Sequence, residues 1–271
     1  MKVTKTTLIL VSVFAVFVFA SGQGYSAPSV YTGMDLEPYS TTNSSTAATN
    51  FDAAAALLGP VNVIDFETSP VGSSSFTTAS GVNVAYSGVY WPSIPSGGQT
   101  YYSGVNNVMV DESWGFNTTA SGSRYLGMYP QPTGSEHTVS ITFSFDQPIN
   151  AFGAYFSGLE WFATPSTIRL NYTTIAGTYQ LEIVKPTQTD DALGLRFFGI
   201  TDTDPISQIT LTEVVPATGN YDAWGLDDVR FASRSSAVPE PTTMLLYGIG
   251  LLGAAGVRRF PRGAGPVQQD R

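Results

Sequence analysis

"TVSITFSF", Thr138–Phe145, decides the fold class. Val139, Ile141, Phe143 and Phe145 alternate with Ser140, Thr142 and Ser144, a period of two that puts four apolar side chains on one face of an extended strand and three hydroxyls on the other. A helix would scatter these residues around its axis. Working outward, Asp146-Gln147-Pro148 reads as a turn, and "AFGAYF" resumes the alternation through Phe152, Ala154 and Phe156. "TIRLNY" and "TYQLEI" flank a turn at Ala176-Gly177 and form a hairpin, while "LGLRFFGI", "ISQITLTEV" and "DDVRFA" are further strands, each bounded by Gly, Pro or Asp. At least eight short strands with no intervening helix predict an all-β, antiparallel sandwich. One helix precedes them: Thr49 or Asn50 caps it, Phe51, Ala54, Ala55 and Leu58 form its apolar stripe, and Gly59-Pro60 ends it. Residues 21–48 are rich in Ser, Thr and Asn and read as a linker or loosely attached arm.

The chain has 271 residues, 12 Lys and Arg against 21 Asp and Glu, a net charge of −9 and no cysteine. An acidic surface is a poor partner for nucleic acid or anionic lipid, and without cysteine the fold is held by its core or by bound ions. The two ends differ from the middle. Lys2 and Lys5 precede the apolar run Leu8–Phe19, and Val18-Phe19-Ala20 offers small residues at a cleavage spacing, so residues 1–20 read as a secretory signal peptide. Near the other end Met244–Val257 is apolar and uncharged. As a helix it reaches only about 20 Å, short of a hydrocarbon core of about 30 Å. Arg258, Arg259 and Arg262 follow it, which places the end of the chain in the cytoplasm and the bulk outside. The expected organisation is a signal peptide at 1–20, an arm at 21–48, a β-sandwich domain at 49–232, a linker at 233–237, an apolar sorting segment with a transmembrane helix at 238–262 and a cytoplasmic tail at 263–271.

Val238-Pro239-Glu240-Pro241, a short apolar helix and the Arg258-Arg259 cluster, in that order, resemble the PEP-CTERM sorting signal of exported bacterial proteins. The resemblance implies an exosortase as partner, transient anchoring in the inner membrane and a final place at the cell surface or in the extracellular matrix. "VIDFET", "FDQPINAFGAYF", "RFFGITDTDPISQITL" and "WGLDDVRF" carry a second resemblance, to the jelly-roll domains that precede such tails and to carbohydrate-binding modules of the galactose-binding-like kind. It implies a jelly-roll topology whose first and last strands are adjacent and share a structural calcium ion, with Asp65, Glu67, Asp227 and Asp228 as its ligands.

Calcium takes six to eight hard oxygens from irregular loops, so these four carboxylates suit it. The alternative is that strand alternation sends some of them to opposite faces and that Asp227 caps a turn. Asp202 and Asp204 in "TDTDP" form a second acidic loop, read either as turn chemistry or as a metal site. His137 is the sole histidine and no G-x-S-x-G elbow exists, which leaves a serine triad without support. Asp111-Glu112 and Asp190-Asp191 are carboxylate pairs of the type that flank a glycosidic bond or simply cap solvated loops. In the aromatic segment around "YWPSIPSGGQTYYSGVNNVMVDESW", Trp91, Tyr101, Tyr102 and Trp114 read either as a platform for sugar rings, with Asn106, Asn107 and Asp111 as hydroxyl readers, or as packing residues. The expected function is that of an exported, non-enzymatic surface or matrix protein that binds exopolysaccharide; the alternative is a secreted, carboxylate-dependent polysaccharide hydrolase.

Overall fold

The computed structural model describes residues 27–36, 40–107, 114–159, 167–185, 194–218 and 221–234. The chain divides into two units, Met1–Arg234 and Ser235–Arg271, and every described residue lies in the first. The signal peptide, the sorting segment from Val238 to Arg262, Asp111, Glu112, Asp190 and Asp191 lie outside the described residues. In chain order the elements are β1 (Ser29–Asp35), α1 (Thr42–Ala56), β2 (Asn62–Ile64), β3 (Ser75–Thr77), β4 (Asn83–Gly88), β5 (Ser93–Ser96), β6 (Gln99–Tyr102), β7 (Gly104–Asn106), β8 (Tyr125–Met128), β9 (His137–Leu159), β10 (Thr167–Thr174), β11 (Gly177–Ile183), β12 (Gly194–Val215) and β13 (Trp224–Ala232). The predicted all-β class, the single helix and the β10–β11 hairpin are all present.

Two strands differ from expectation, and the difference organises the molecule. Asp146-Gln147-Pro148 does not close a hairpin, because β9 runs through it. "LGLRFFGI", "TDTDP" and "ISQITLTEV" are likewise one strand, β12. The two pair antiparallel along their whole length, from Gly194↔Leu159 to Val215↔His137, with register shifts between Thr201 and Ile206 and between Ile206 and Gln208. Bulges bend strands, and Pro148 and Pro205 sit where the ladder is interrupted, so their missing N–H groups are not needed. The first half of β9 continues through β4 to β3, and the matching half of β12 continues through β10 to β11. The other halves pair with β13 and β1. Strands that turn from one layer into the next make the corner of a sandwich. Val139, Ile141 and Phe143 from one half of β9 and Phe152 and Phe156 from the other meet in one core. Phe143 and Phe152 lie 5.6 Å apart across the bend.

The layer containing β13 is covered on both faces. Its outer face carries Ala151, Tyr155, Leu195, Phe197 and Ala232, and α1 packs there through Ala47, Ala48, Phe51 and Ala55. This is why residues 149–159 are buried without a break, where a strand with one wet face alternates. Gly153 and Gly199 pair across the strands and make the seat for Phe51: a Cβ on Gly199 would stand 2.7 Å from the Phe51 ring.

The expected arm at 21–48 is not free over its described part. Ser29–Asp35 pairs with β12 from Thr201 to Leu195, and α1 begins at Thr42, well before Thr49. The buried Asp35 explains the earlier start: its carboxylate accepts Asn43 N–H at 2.9 Å, Ser44 N–H at 2.9 Å and Ser44 Oγ–H at 2.6 Å, taking the free donors of the first turn from a distance. Burial pushes the Asp35 carboxyl up, yet these hydrogen bonds together hold its pKa below the usual value.

At the far end of the core Glu213, Asp222 and Lys185 are buried together. Lys185 Nζ meets Asp222 at 2.9 Å, while Glu213 accepts Asp222 N–H at 3.1 Å and Trp224 Nε1–H at 2.9 Å.

Candidate functional site

β2 lies beside β13, with Ile64 opposite Val229, so the first and last strands of the predicted domain are adjacent as the sequence implied. The acidic residues at their ends meet the loop from Trp114 to Arg124. Asp227 is fully buried, and its Oδ2 accepts Thr118 N–H at 2.7 Å and Thr119 N–H at 3.1 Å. Asp228 accepts Thr119 Oγ1–H at 2.8 Å and Thr118 Oγ1–H at 3.2 Å. Consecutive strand residues ordinarily face opposite ways. Here a register shift between Asp227 and Arg230 and a left-handed Asp228, φ 48°, turn both carboxylates to one loop.

Glu67 holds the other end of that loop. Its Oε1 accepts Ser123 N–H and Arg124 N–H, each at 2.7 Å, and Asn117 Nδ2–H at 3.1 Å. Asp65 is spent on Glu67 N–H at 3.1 Å. Just before these clamped residues Ser157 both donates to Phe116 O and accepts Phe116 N–H. Gly115 lies so close to β13 that a Cβ there would collide with the Gly225 backbone.

The four carboxylates expected as calcium ligands are thus used, in this arrangement, chiefly to hold the loop. Asp227 Oδ2, both Asp228 oxygens and Glu67 Oε1 accept N–H or hydroxyl donors of the loop, whereas Asp227 Oδ1 is buried with no hydrogen-bond partner. Among the described residues no group of three or more His, Asp or Glu side chains is placed to hold an ion. Asp202 and Asp204 do not form a metal site either: Asp202 is buried at the bend of β12, where it accepts Tyr172 Oη–H at 2.8 Å and Asp204 N–H at 3.0 Å.

The aromatic segment is divided. Tyr101 is 4 % exposed and packs edge-on against Trp114 and Tyr129. Asn106 is buried, and it ties its own turn by donating to Tyr102 O and accepting Tyr102 N–H. Trp91 is exposed, Trp114 and Tyr102 are half-buried, and Asn107 is exposed. The four rings thus do not present one continuous platform. His137 hydrogen-bonds within its own turn, to Thr133 and Ser135.

What the clamped loop does make is the wall of a cleft of about 570 Å³. Phe116, Asn117, Thr118, Ala120 and Gly122 line one side, with Thr41, Ser45, Tyr155, Leu195, Asp228 and Arg230 opposite. The Arg230 guanidinium lies 5.1 Å from the Tyr155 ring centroid and 3.4 Å from Asp52, an ion pair that locks the floor in place. Sequence reasoning found Asp228 but not this cleft. Its residues come from five separate stretches, and Tyr155 stands in an apolar run that reads as core.

Two buried acids give the fold a pH dependence. Burial, then the neighbouring Asp228, pushes Asp227 up to about 7; burial, then opposed by Lys185, places Glu213 at about 7. Unfolded, both titrate near 4. The folded state thus holds protons that the unfolded state has lost. Their contribution to stability is complete below about pH 4 and is lost as pH rises through 7. Asp35 acts oppositely, its contribution falling away in acid. The expected melting temperature is highest in mildly acid buffer and declines towards neutrality, and Glu213→Gln shallows that decline. A flat profile between pH 4.5 and 7.5 in thermal melts contradicts the assignment.

With the geometry in place, residues 237–259 match the model of the PEP-CTERM protein-sorting motif. The chain carries a PEP-CTERM sorting motif. The motif marks an exported protein processed by an exosortase at the membrane. Among the described residues no helix is long and apolar enough to cross a membrane. No curated protein matches the chain. Solved structures similar to this chain include a non-crystalline cellulose specific carbohydrate-binding module, CBM28, at 11 % identity, covering 42 % of this chain and 79 % of that one, TM-score 0.28. TmCBM61 in complex with β-1,4-galactotriose is similar at 11 % identity over 65 % of this chain and 90 % of that one, TM-score 0.28. The K1 cleaved adhesin domain of Lys-gingipain from Porphyromonas gingivalis W83 is similar at 11 % identity over 65 % and 100 %, TM-score 0.29.

Proposed function

We propose that this exported PEP-CTERM protein is a non-enzymatic surface or matrix protein that binds exopolysaccharide in the cleft between the 114–124 loop and β13. The observation that carries the reading is the lining: Phe116 and Tyr155 supply aromatic surface, and Asn117, Thr118, Asp228 and Arg230 supply donors and acceptors around it. Apolar ring faces with a few fixed polar groups are what a sugar requires, and the volume falls within the about 300–1,000 Å³ of small-ligand sites. The neighbouring acids support binding over hydrolysis. Asp228 and Glu67 accept hydrogen bonds that hold the loop, and Asp227 is fully buried behind it, whereas a glycosidase needs one carboxyl to donate and another to attack or activate water at the sugar itself.

Ala120 is exposed on the cleft wall, so Ala120→Trp fills the cleft without disturbing the core. The variant is expected to keep its melting temperature and to lose at least about tenfold in affinity for the producer's exopolysaccharide, as about 1.4 kcal/mol of lost contact implies, measured by calorimetric titration. Unchanged affinity overturns the cleft assignment. Reducing-sugar release by the wild-type protein, abolished by Asp228→Asn, favours the hydrolase instead.

A further inference from the structure

Arg196 is a buried cation for which the described chain supplies no carboxylate. It stands on β12 opposite Met34 and Phe156, at the register shift that follows Gly194, and is 8 % exposed. Nη1 donates to Thr32 Oγ1 at 3.2 Å, Nη2 reaches the Met34 sulfur at 3.5 Å, and Nε is buried with no hydrogen-bond partner. A guanidinium carries five N–H donors, and a hydroxyl with a thioether leaves most of that capacity unmet. Burial alone pulls its pKa down.

The contrast with buried Lys185 and part-buried Arg230 is informative. Lys185 has Asp222 at 2.9 Å and Arg230 has Asp52 at 3.4 Å. The described residues do not lack carboxylates to place, and a desolvated, unpaired charge is among the costliest features a core can contain. β-Bulges commonly re-aim a side chain at a functional position. Arg196 follows Leu195, which lines the cleft, so alternation along β12 turns it to the other face. It is a separate position from the cleft.

We propose that Arg196 binds a carboxylate carried by a ligand, received side-on by Nε and Nη2. The planar fork matches a carboxylate in two parallel hydrogen bonds, and the flexible Met34 side chain is the group that yields to admit it. The carboxylate belongs either to a sugar acid or to a free small acid, and the two sources are separable.

The test is thermal melting of the full-length chain at constant ionic strength with sodium acetate, sodium glucuronate, sodium sulfate or glucose. Glucuronate is expected to raise the wild-type melting temperature and glucose to leave it unchanged. An equal rise with acetate identifies a free-acid site, and a rise with glucuronate alone identifies a sugar acid. Arg196→Met is expected to melt at or above the unliganded wild type, since it removes a desolvated charge, and to show no response to either carboxylate. Arg196→Lys, which keeps the charge but not the fork, is expected to lose most of the response. The proposal fails if neither carboxylate shifts the wild type, if sulfate acts as strongly as they do, or if Arg196→Lys responds in full. It also fails if Arg196→Met melts well below wild type or does not fold, which makes Arg196 a structural residue.

Discussion

Replacing Trp224 with alanine is expected to destabilise the fold by at least about 3–5 kcal/mol, the usual cost of deleting a buried aromatic side chain. Trp224 is fully buried, and its ring centroid lies 5.8 Å from that of Phe156. Two losses coincide. The ring leaves a cavity between the layers, and Glu213 Oε2 loses the indole N–H at 2.9 Å in a region where water cannot replace it, a penalty of about 1–3 kcal/mol in its own right. Trp224→Phe separates the two, keeping most of the ring and removing only the donor. Its cost is expected to fall between wild type and alanine, and to shrink in acid, where a protonated Glu213 needs the donor less. Denaturant midpoints measure all three proteins, and a cost under about 1 kcal/mol for alanine shows that Trp224 does not hold the layers together.

Phe51→Ala is the second large effect, again about 3–5 kcal/mol, and it acts on the other face of the same layer. Phe51 is fully buried, sits 5.8 Å from Tyr31 and 5.5 Å from Phe197, and occupies the seat left by Gly153 and Gly199. Apart from Phe51 the buried residues of α1 are small, Ser44, Ala47, Ala48 and Ala55. One ring therefore accounts for most of what fastens the helix. The variant is expected to lose helical circular dichroism before the β-signal and to lose cleft affinity as well, because Thr41 and Ser45 line the cleft. Coincident loss of both signals at the wild-type midpoint contradicts this.

How legible the fold was depended on the environment of each strand. "TVSITFSF" has one wet face, so its burial alternates and its reading is direct. "AFGAYF" and "LRFFGI" are covered on both faces, and their type was legible but their continuity with the preceding segments was not. Asp146-Gln147-Pro148 has turn chemistry whether the chain reverses or merely bends, and only the partner strand decides. β1 was missed because an edge strand under a helix needs few apolar residues: it contributes Tyr31 to the second core, and its other side chains act through polar contacts such as Asp35 on the first turn of α1. The acidic residues were found, but the loop they hold was not. Asp227, Asp228 and Glu67 differ from ion ligands only in what stands opposite them, and the N–H groups of Thr118, Thr119, Ser123 and Arg124 have no sequence signature. Tyr101 was placed with the exposed rings because composition cannot distinguish a stacking face from a packed one.

The bend shared by β9 and β12 has a consequence for an exported protein. A sandwich built from separate sheets can shed one layer while the other persists, and the half-open form is what a protease cuts. Here each long strand is a member of both layers, so peeling either layer breaks the ladder of the other. Backbone amides on both sides of Pro148 and Pro205 are expected to exchange with solvent deuterium through one common opening, at the rate of global unfolding. The chain thereby withholds the partial openings that proteolysis exploits.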